Sequence, residues 1–223
     1  MRVAIFGASG MVGSGALLEC VADDRVTSVL VVGRSRCGVE HPKVEEVLHA
    51  DFFDYGPIRS RFAGLDACFF CLGVSAAGLD ESTYRHLTYD LTLAAARALV
   101  AARARMTFCY VSGAGTDPTG RSRMMWARVK GETENALLAL PFQAAFMLRP
   151  GLIQPLKGVR SRTRAYQAFY TATRPLLPLL RTILPDRITT TVAVGRALIH
   201  LAANGDARRI LETRDLNRLG GAA

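Results

Sequence analysis

The chain has few of the residues and patterns that would give its function away at once. Only Lys43, Lys130 and Lys157 are lysines, so the 28 basic residues behind the net charge of +9 are almost all arginine. They are spread along the chain, without the interleaved aromatics of a base-stacking platform, which argues against nucleic acid as a partner. No run approaches the ~18–20 apolar residues of a membrane span. No charged region, apolar run and cleavage site precede the first strand, so the location expected by default is cytoplasmic.

The histidines are equally sparse. His41, His49, His86 and His200 have no metal-ligand spacing among them, so no metal is expected. Five cysteines, an odd number at scattered positions, do not form a disulfide framework. Cys68-Phe69-Phe70-Cys71 has CxxC spacing inside an apolar run that reads as a strand. Residues three apart on a strand point to opposite faces, so these sulfurs read as buried small hydrophobes.

What is present is an alternation of short apolar runs with longer segments of helical period. With 50% apolar residues in 223, this indicates one well-filled α/β domain spanning 1–223. The expected fold is a Rossmann-type doubly wound parallel sheet with a small C-terminal helical substrate region. Strands are expected at Val3–Phe6, Val26–Val32, Val44–Leu48, Ala67–Leu72, Thr107–Val111 and Phe142–Leu148. Helices are expected at Met11–Val21, Glu81–Ala104 with Asp80 as N-cap, Met124–Leu140 and Thr191–Ala203. The tail after Asn217 reads as frayed.

The segment Gly7-Ala8-Ser9-Gly10-Met11-Val12-Gly13 follows a strand directly and opens a helix, the context that gives a GxxGxxG pattern meaning. Gly7 permits a tight turn, Gly10 admits a pyrophosphate against the backbone, and Gly13 allows close helix–strand packing. The helix N-terminus offers free N–H groups and a positive dipole end to the phosphates. Ser9, Met11 and Val12 complete the turn. A dinucleotide site that prefers NAD places a carboxylate at the end of the second strand. Here the sequence reads Val32-Gly33-Arg34-Ser35-Arg36, and two guanidiniums suit a 2′-phosphate, so NADP(H) is expected over NAD(H).

Together with Asp51, Cys71-Leu72-Gly73, Ser112 and Lys130, this order resembles the short-chain dehydrogenase/reductase superfamily. Lys130-Gly131-Glu132-Thr133-Glu134 and Arg149-Pro150-Gly151 resemble its atypical branch, the epimerase-like and oxidoreductase Tat-interacting protein groups. The resemblance implies that Asp51 contacts adenine and that Leu72 and Gly73 line the cofactor. It further implies that Ser112 faces the nicotinamide, Lys130 bonds the ribose hydroxyls and Pro150 borders the carboxamide. Ser112 and Lys130 are then the catalytic candidates, for an oxidoreductase or epimerase-like enzyme acting on a small molecule.

The superfamily's chemistry uses a tyrosine four residues before the lysine, whose charge lowers the phenol pKa. Here that position is Trp126, an indole that donates a hydrogen bond but exchanges no proton near neutral pH. Three readings stand. Tyr84, Tyr89 or His86 supplies the proton; Ser112 and water suffice; or the protein is a non-catalytic NADP(H)-binding regulator or interaction protein.

Beyond Gly151, residues 152–190 read as a substrate or lid segment. Lys157, Arg160, Arg162, Arg164, Arg174, Arg181 and Arg187 surround Tyr166, Phe169, Tyr170 and Leu176–Leu180. The segment suits an anionic or lipidic substrate, a membrane or protein surface, or a helix pair packed on the sheet with its arginines in water.

Overall fold

Alternation along the strands decides which face each side chain covers, and here both faces are covered. The computed structural model describes residues 1–103, 105–159, 183–184 and 186–221. Strand β1 (Arg2–Phe6) sends Val3 and Ile5 to one side and Ala4 and Phe6 to the other, all four fully buried. Helix α1 (Met11–Ala22) follows, then β2 (Ser28–Gly33) and β3 (Val44–Leu48). A 3-10 turn (Gly56–Phe62) leads to β4 (Ala67–Phe70), and α2 (Glu81–Arg85) runs through a π turn (His86–Asp90) into α3 (Leu91–Ala102). Then come β5 (Thr107–Val111), α4 (Met125–Leu138), β6 (Ala144–Arg149), β7 (Leu152–Gln154) and β8 (Ile188–Thr190). Helix α5 (Thr191–Asn204), β9 (Ile210–Glu212) and α6 (Thr213–Gly220) complete the described chain.

Seven strands form one parallel sheet in the order β3-β2-β1-β4-β5-β6-β9, and β7 pairs with β8 alongside. On one face Phe6, Phe70, Phe108 and Met147 pack against Leu93, Ala96 and Leu99 of α3 and Leu137 of α4. On the other, Ile5, Val31, Phe69 and Leu148 pack against Leu17 of α1 and Val194, Leu198 and Leu201 of α5. Strands buried on both faces read as continuous apolar runs, which is why they show in the sequence. Cys68 belongs to the first core and Cys71 packs against the second, so the CxxC cysteines do face opposite ways.

The strand order reverses between β1 and β4, and there a doubly wound sheet leaves a crevice at the carboxyl ends of its strands. Strand β4 is shorter than its apolar run because it must diverge there. Cys71 N–H still donates to the Phe6 carbonyl at 3.0 Å, but Leu72 has left the ladder.

Several expected boundaries shift. The second strand begins at Ser28, since Val26 N–H is held in a turn by the Asp23 carbonyl. The sixth begins at Ala144, with Phe142 stacked on Phe108 just outside it. Asp80 caps as expected, accepting from Thr83 N–H at 2.9 Å, but a π turn interrupts the long helix. Of the expected 152–190 segment, residues 160–182 and 185 lie outside those described. So do Arg160, Arg162, Arg164, Arg174, Arg181, Tyr166, Phe169, Tyr170 and Leu176–Leu180.

The expected fraying after Asn217 is corrected. Helix α6 runs to Gly220, Leu216 is fully buried and Asn217 donates to the Ile188 carbonyl. Gly220 is buried against α5, and a Cβ there would collide with the Ala193 backbone. Gly220→Ala should therefore lower the thermal midpoint by about 3–10 °C, from roughly 1–3 kcal/mol of overpacking. An unchanged midpoint in a melting curve would mean that the tail is not docked.

Candidate functional site

The crevice is built by one carbonyl and three glycines. Gly7 ends β1 with φ +82°, and a Cβ on it would lie 2.8 Å from Leu72 N and 2.9 Å from the Cys71 carbonyl carbon. Gly10 N–H donates back to the Gly7 carbonyl at 2.9 Å, closing the turn. Gly13 is buried beneath it, where a Cβ would strike that same carbonyl, so it sets the packing of α1 rather than lining the opening. Helix α1 starts with no side-chain cap and no acidic residue in its first turn. Its first N–H groups therefore lack both a helical partner and a competing carboxylate.

A cleft of about 370 Å³ opens over this helix start. Ser9, Gly10, Met11 and Val12 form its floor, Phe52 and Leu72 wall it, and Gly73 faces open space. These features fit a dinucleotide: bare backbone for a pyrophosphate, uncapped N–H groups for its charge, and an apolar wall for a base. The nicotinamide cofactor would supply hydride; Gly7–Val12, Arg34, Leu72 and Gly73 would hold it.

The second-strand residues divide. Arg34 and Ser35 lie at the mouth of the cleft. Arg36 is exposed and does not line it; the Glu46 carboxyl is held low mainly by the Cys37 thiol and then by the Cys37 N–H, which donates to it at 2.6 Å. Asp51 is likewise off the cleft. It is exposed, and its carboxylate accepts from Phe53 N–H at 2.8 Å, tightening a turn that buries Phe52. Phe52, which sequence reasoning passed over, lines the cleft that Asp51 does not reach. The signal available was an aromatic directly after the polar residue of the third βα turn.

A second group of residues sits where β5 ends. The Ser112 hydroxyl lies 2.9 Å from that of Thr116, and Thr116 donates to the Gly113 carbonyl at 2.8 Å. A hydroxyl has one hydrogen. Thr116 has spent its own, so Ser112 is the donor between them and its lone pairs are what it offers. Lys130 Nζ donates to the Ser112 carbonyl at 3.3 Å and stands 5.3 Å from the centre of the Tyr110 ring. Burial pulls the ammonium down to about 8 against the opposing pull of Glu134. Pro150 is buried beside this loop, and its carbonyl accepts from Ala114 N–H at 2.9 Å. Ser112, Lys130 and Pro150 are thus gathered together, but none of the three lines the glycine cleft.

Trp126 stands one turn before Lys130, its ring edge 3.4 Å from where a Cβ on Gly115 would be. One turn after Lys130, Glu134 is 1% exposed and receives a bidentate clamp from Arg149: Nη2 at 2.5 Å and Nε at 3.1 and 3.2 Å. Arg149 also reaches Glu212 at 3.3 Å. Sequence reasoning quoted Glu134 and Arg149 only as parts of motifs; the i+4 spacing from Lys130 was the signal for the first.

The alternative proton donors are buried or otherwise engaged. Tyr84 is 2% exposed and burial raises its phenol pKa. Tyr89 lies under the Arg85 guanidinium, 4.2 Å away. His86 is exposed, pairs with Asp90 at 3.2 Å and stacks on Phe53. Among the described residues no cluster of His, Cys, Asp and Glu could hold a metal, and no helix is long and apolar enough to cross a membrane. Lys157, the described start of the basic segment, is paired with the buried Glu19 of α1, as is Arg196.

No protein-family profile matches the chain. It is 30% identical over 174 residues to the mitochondrial protein fmp52 of Emericella nidulans, covering 75% of this chain and 72% of that one. It is 29% identical over 227 residues to the mitochondrial fmp52-2 of Aspergillus terreus, covering 97% and 96%. It spans 65% of the length of a Neosartorya fischeri fmp52-2, 31% identical over 153 residues. Among solved structures, DesIV, a dTDP-glucose 4,6-dehydratase of Streptomyces venezuelae crystallised with NAD and TYD, superposes with a TM-score of 0.67 at 18% identity. That match covers 99% of this chain and 80% of DesIV. A short chain dehydrogenase family protein of Francisella tularensis gives 0.65 at 12%, covering 95% of both chains. The structural likenesses establish the Rossmann fold of dehydratases, epimerases and short-chain dehydrogenases. The cytoplasmic expectation is overturned, because the sequence relatives are named as mitochondrial proteins. By identity and coverage, the chain belongs to the Fmp52 family.

Proposed function

We propose that this protein binds a nicotinamide dinucleotide in the glycine cleft, NADP(H) in preference to NAD(H), and uses it to oxidise, reduce or epimerise a small molecule at the end of β5. The observation that carries the reading is the uncapped start of α1 beneath a cleft with Arg34 at its mouth. A phosphate ester at that mouth would meet a guanidinium and the Ser35 hydroxyl instead of a carboxylate, and charge-assisted bonds of that kind are the strong ones. Arg36, exposed and off the cleft, has a smaller part than Arg34 in this preference. NAD in the DesIV structure supports the cofactor class by analogy of fold alone.

Trp126 favours a second reading, in which the protein holds the cofactor as a regulator and turns nothing over. The gathering of Ser112, Lys130 and Pro150 favours the enzyme.

Calorimetric titration distinguishes the parts of this proposal. Wild type should bind NADPH more tightly than NADH. Arg34→Ala should lose about 10–100-fold in NADPH affinity, the worth of one or two bonds to a charged group, and leave NADH nearly unchanged. Equal affinities in wild type would remove the NADP preference. Gly10→Val puts a branched side chain where the pyrophosphate must approach, so it should abolish binding of both dinucleotides while the far-UV spectrum stays native. A Gly10→Val protein that still binds would place the cofactor elsewhere.

A further inference from the structure

We propose that Lys130 is itself the proton-transfer group of this site, and that Glu134, clamped by Arg149, is the residue that positions it. The proposal rests on the oxidoreductase reading and assigns the one role that Trp126 leaves vacant.

Three observations lead to it. First, the hydroxyl of Ser112, the other catalytic candidate, has its hydrogen committed. Thr116 gives its own hydrogen to the Gly113 carbonyl, so the Ser112 hydroxyl donates to Thr116. Second, Lys130 Nζ stands at the same strand end with three hydrogens, only one of which goes to the Ser112 carbonyl. Its remaining hydrogens are free of backbone partners among the described residues, and unlike the Trp126 indole it can release one as a proton near neutral pH. Third, the carboxylate one turn along the helix does not pair with the ammonium directly. Glu134 receives three hydrogen bonds from Arg149, which also holds Glu212. A carboxylate matched in this way steadies the lysine without binding its proton tightly, whereas a bare Glu134 would hold the ammonium as a salt bridge.

The other ionisable groups around Nζ keep out of the transfer. Tyr110 of β5 lies beneath it and Tyr84 of α2 behind Tyr110. Burial raises both phenols, and each remains protonated where the lysine titrates. Burial also brings the lysine down to about 8, so near neutral pH it is an ammonium that can give up a proton at little cost. In the reductive direction, with a nicotinamide cofactor bound to supply hydride, Nζ would give a proton to the oxygen of the carbonyl being reduced. An alcohol and a neutral amine result, and water reprotonates the amine. Oxidation of an alcohol runs the same transfer backwards. Reduction should therefore fall, and oxidation rise, as pH passes through the lysine midpoint.

With three lysines in the chain, the test is tractable. Reductive methylation with ¹³C-formaldehyde labels Lys43, Lys130 and Lys157 and the N-terminus, and the Lys130 signal is the one missing from Lys130→Arg. That signal should titrate near 8, and Glu134→Gln should move its midpoint lower, because the carboxylate that opposes deprotonation is gone. Turnover is then followed with NADPH and a panel of aromatic aldehydes and α-dicarbonyls. Lys130→Arg, which keeps the charge but releases no proton, should still bind NADPH and lose about 100-fold or more in kcat, the usual worth of a general acid. The wild-type pH profile should share the NMR midpoint and shift with it in Glu134→Gln, which a merely structural role for Glu134 would not produce. A Lys130 signal titrating at the ordinary lysine value of 10.5 would overturn the proposal. So would a Lys130→Arg enzyme as fast as wild type. A wild type that binds NADPH but reduces none of the carbonyls would overturn it in favour of the non-catalytic reading. If wild type binds neither dinucleotide, the underlying function falls first and this role with it.

Discussion

The carbonyl oxygen of Gly7 is the point on which the molecule turns. It accepts from Gly10 N–H, and Gly13 packs directly beneath it. Gly7 itself lies so close to the end of β4 that a side chain would meet Leu72 N and the Cys71 carbonyl. This crowding obliges α1 to start at Met11 and Leu72 to leave the sheet, and it holds the two sides of the cleft at a fixed separation. Three residues without side chains thus convert a strand end into a surface of uncapped N–H groups. Any substituent at these positions would separate α1 from the sheet or fill the space a pyrophosphate requires.

At the neighbouring strand end the organising force is electrostatic. Burying an ammonium is costly unless it is paired. Here the only nearby carboxylate among the described residues is shared with a guanidinium that also serves Glu212. Lys130 is therefore left partly uncompensated, which stabilises the fold little and makes the proton easier to release. Glu134 buried without Arg149 would be an unpaired charge, and removing one partner of such a pair typically costs several kcal/mol. The clamp thus serves the fold and the lysine together.

Much of this was legible in the sequence because strands buried on two faces and a glycine turn between strand and helix leave plain signatures. The first six strands, the α1 start, the Asp80 cap and the αβ alternation follow from apolar runs and punctuating residues. The three-residue strands β7, β8 and β9 are too short to produce a pattern, and the docking of α6 depends on a tertiary contact at Gly220. In the site, glycines were readable because their role is backbone geometry. Arg36 and Asp51 were not, because whether a polar loop residue faces a cleft depends on local turns. Asp51 ties its own turn while Phe52 lines the cleft, and Arg36 is exposed outside it. The pairing of Glu134 with Arg149 joins a helix to a strand fifteen residues later, and no local spacing announces it.

The claim at the centre of this account is that the dinucleotide lies on the first turn of α1. Hydrogen exchange followed by mass spectrometry, with and without saturating NADPH, tests it at the backbone itself. Amides of residues 8–13 and of 72–74 should slow markedly when NADPH is present, with smaller changes around Arg34 and little change in α6. Protection confined to other parts of the chain, with the 8–13 amides exchanging as in the free protein, would contradict it.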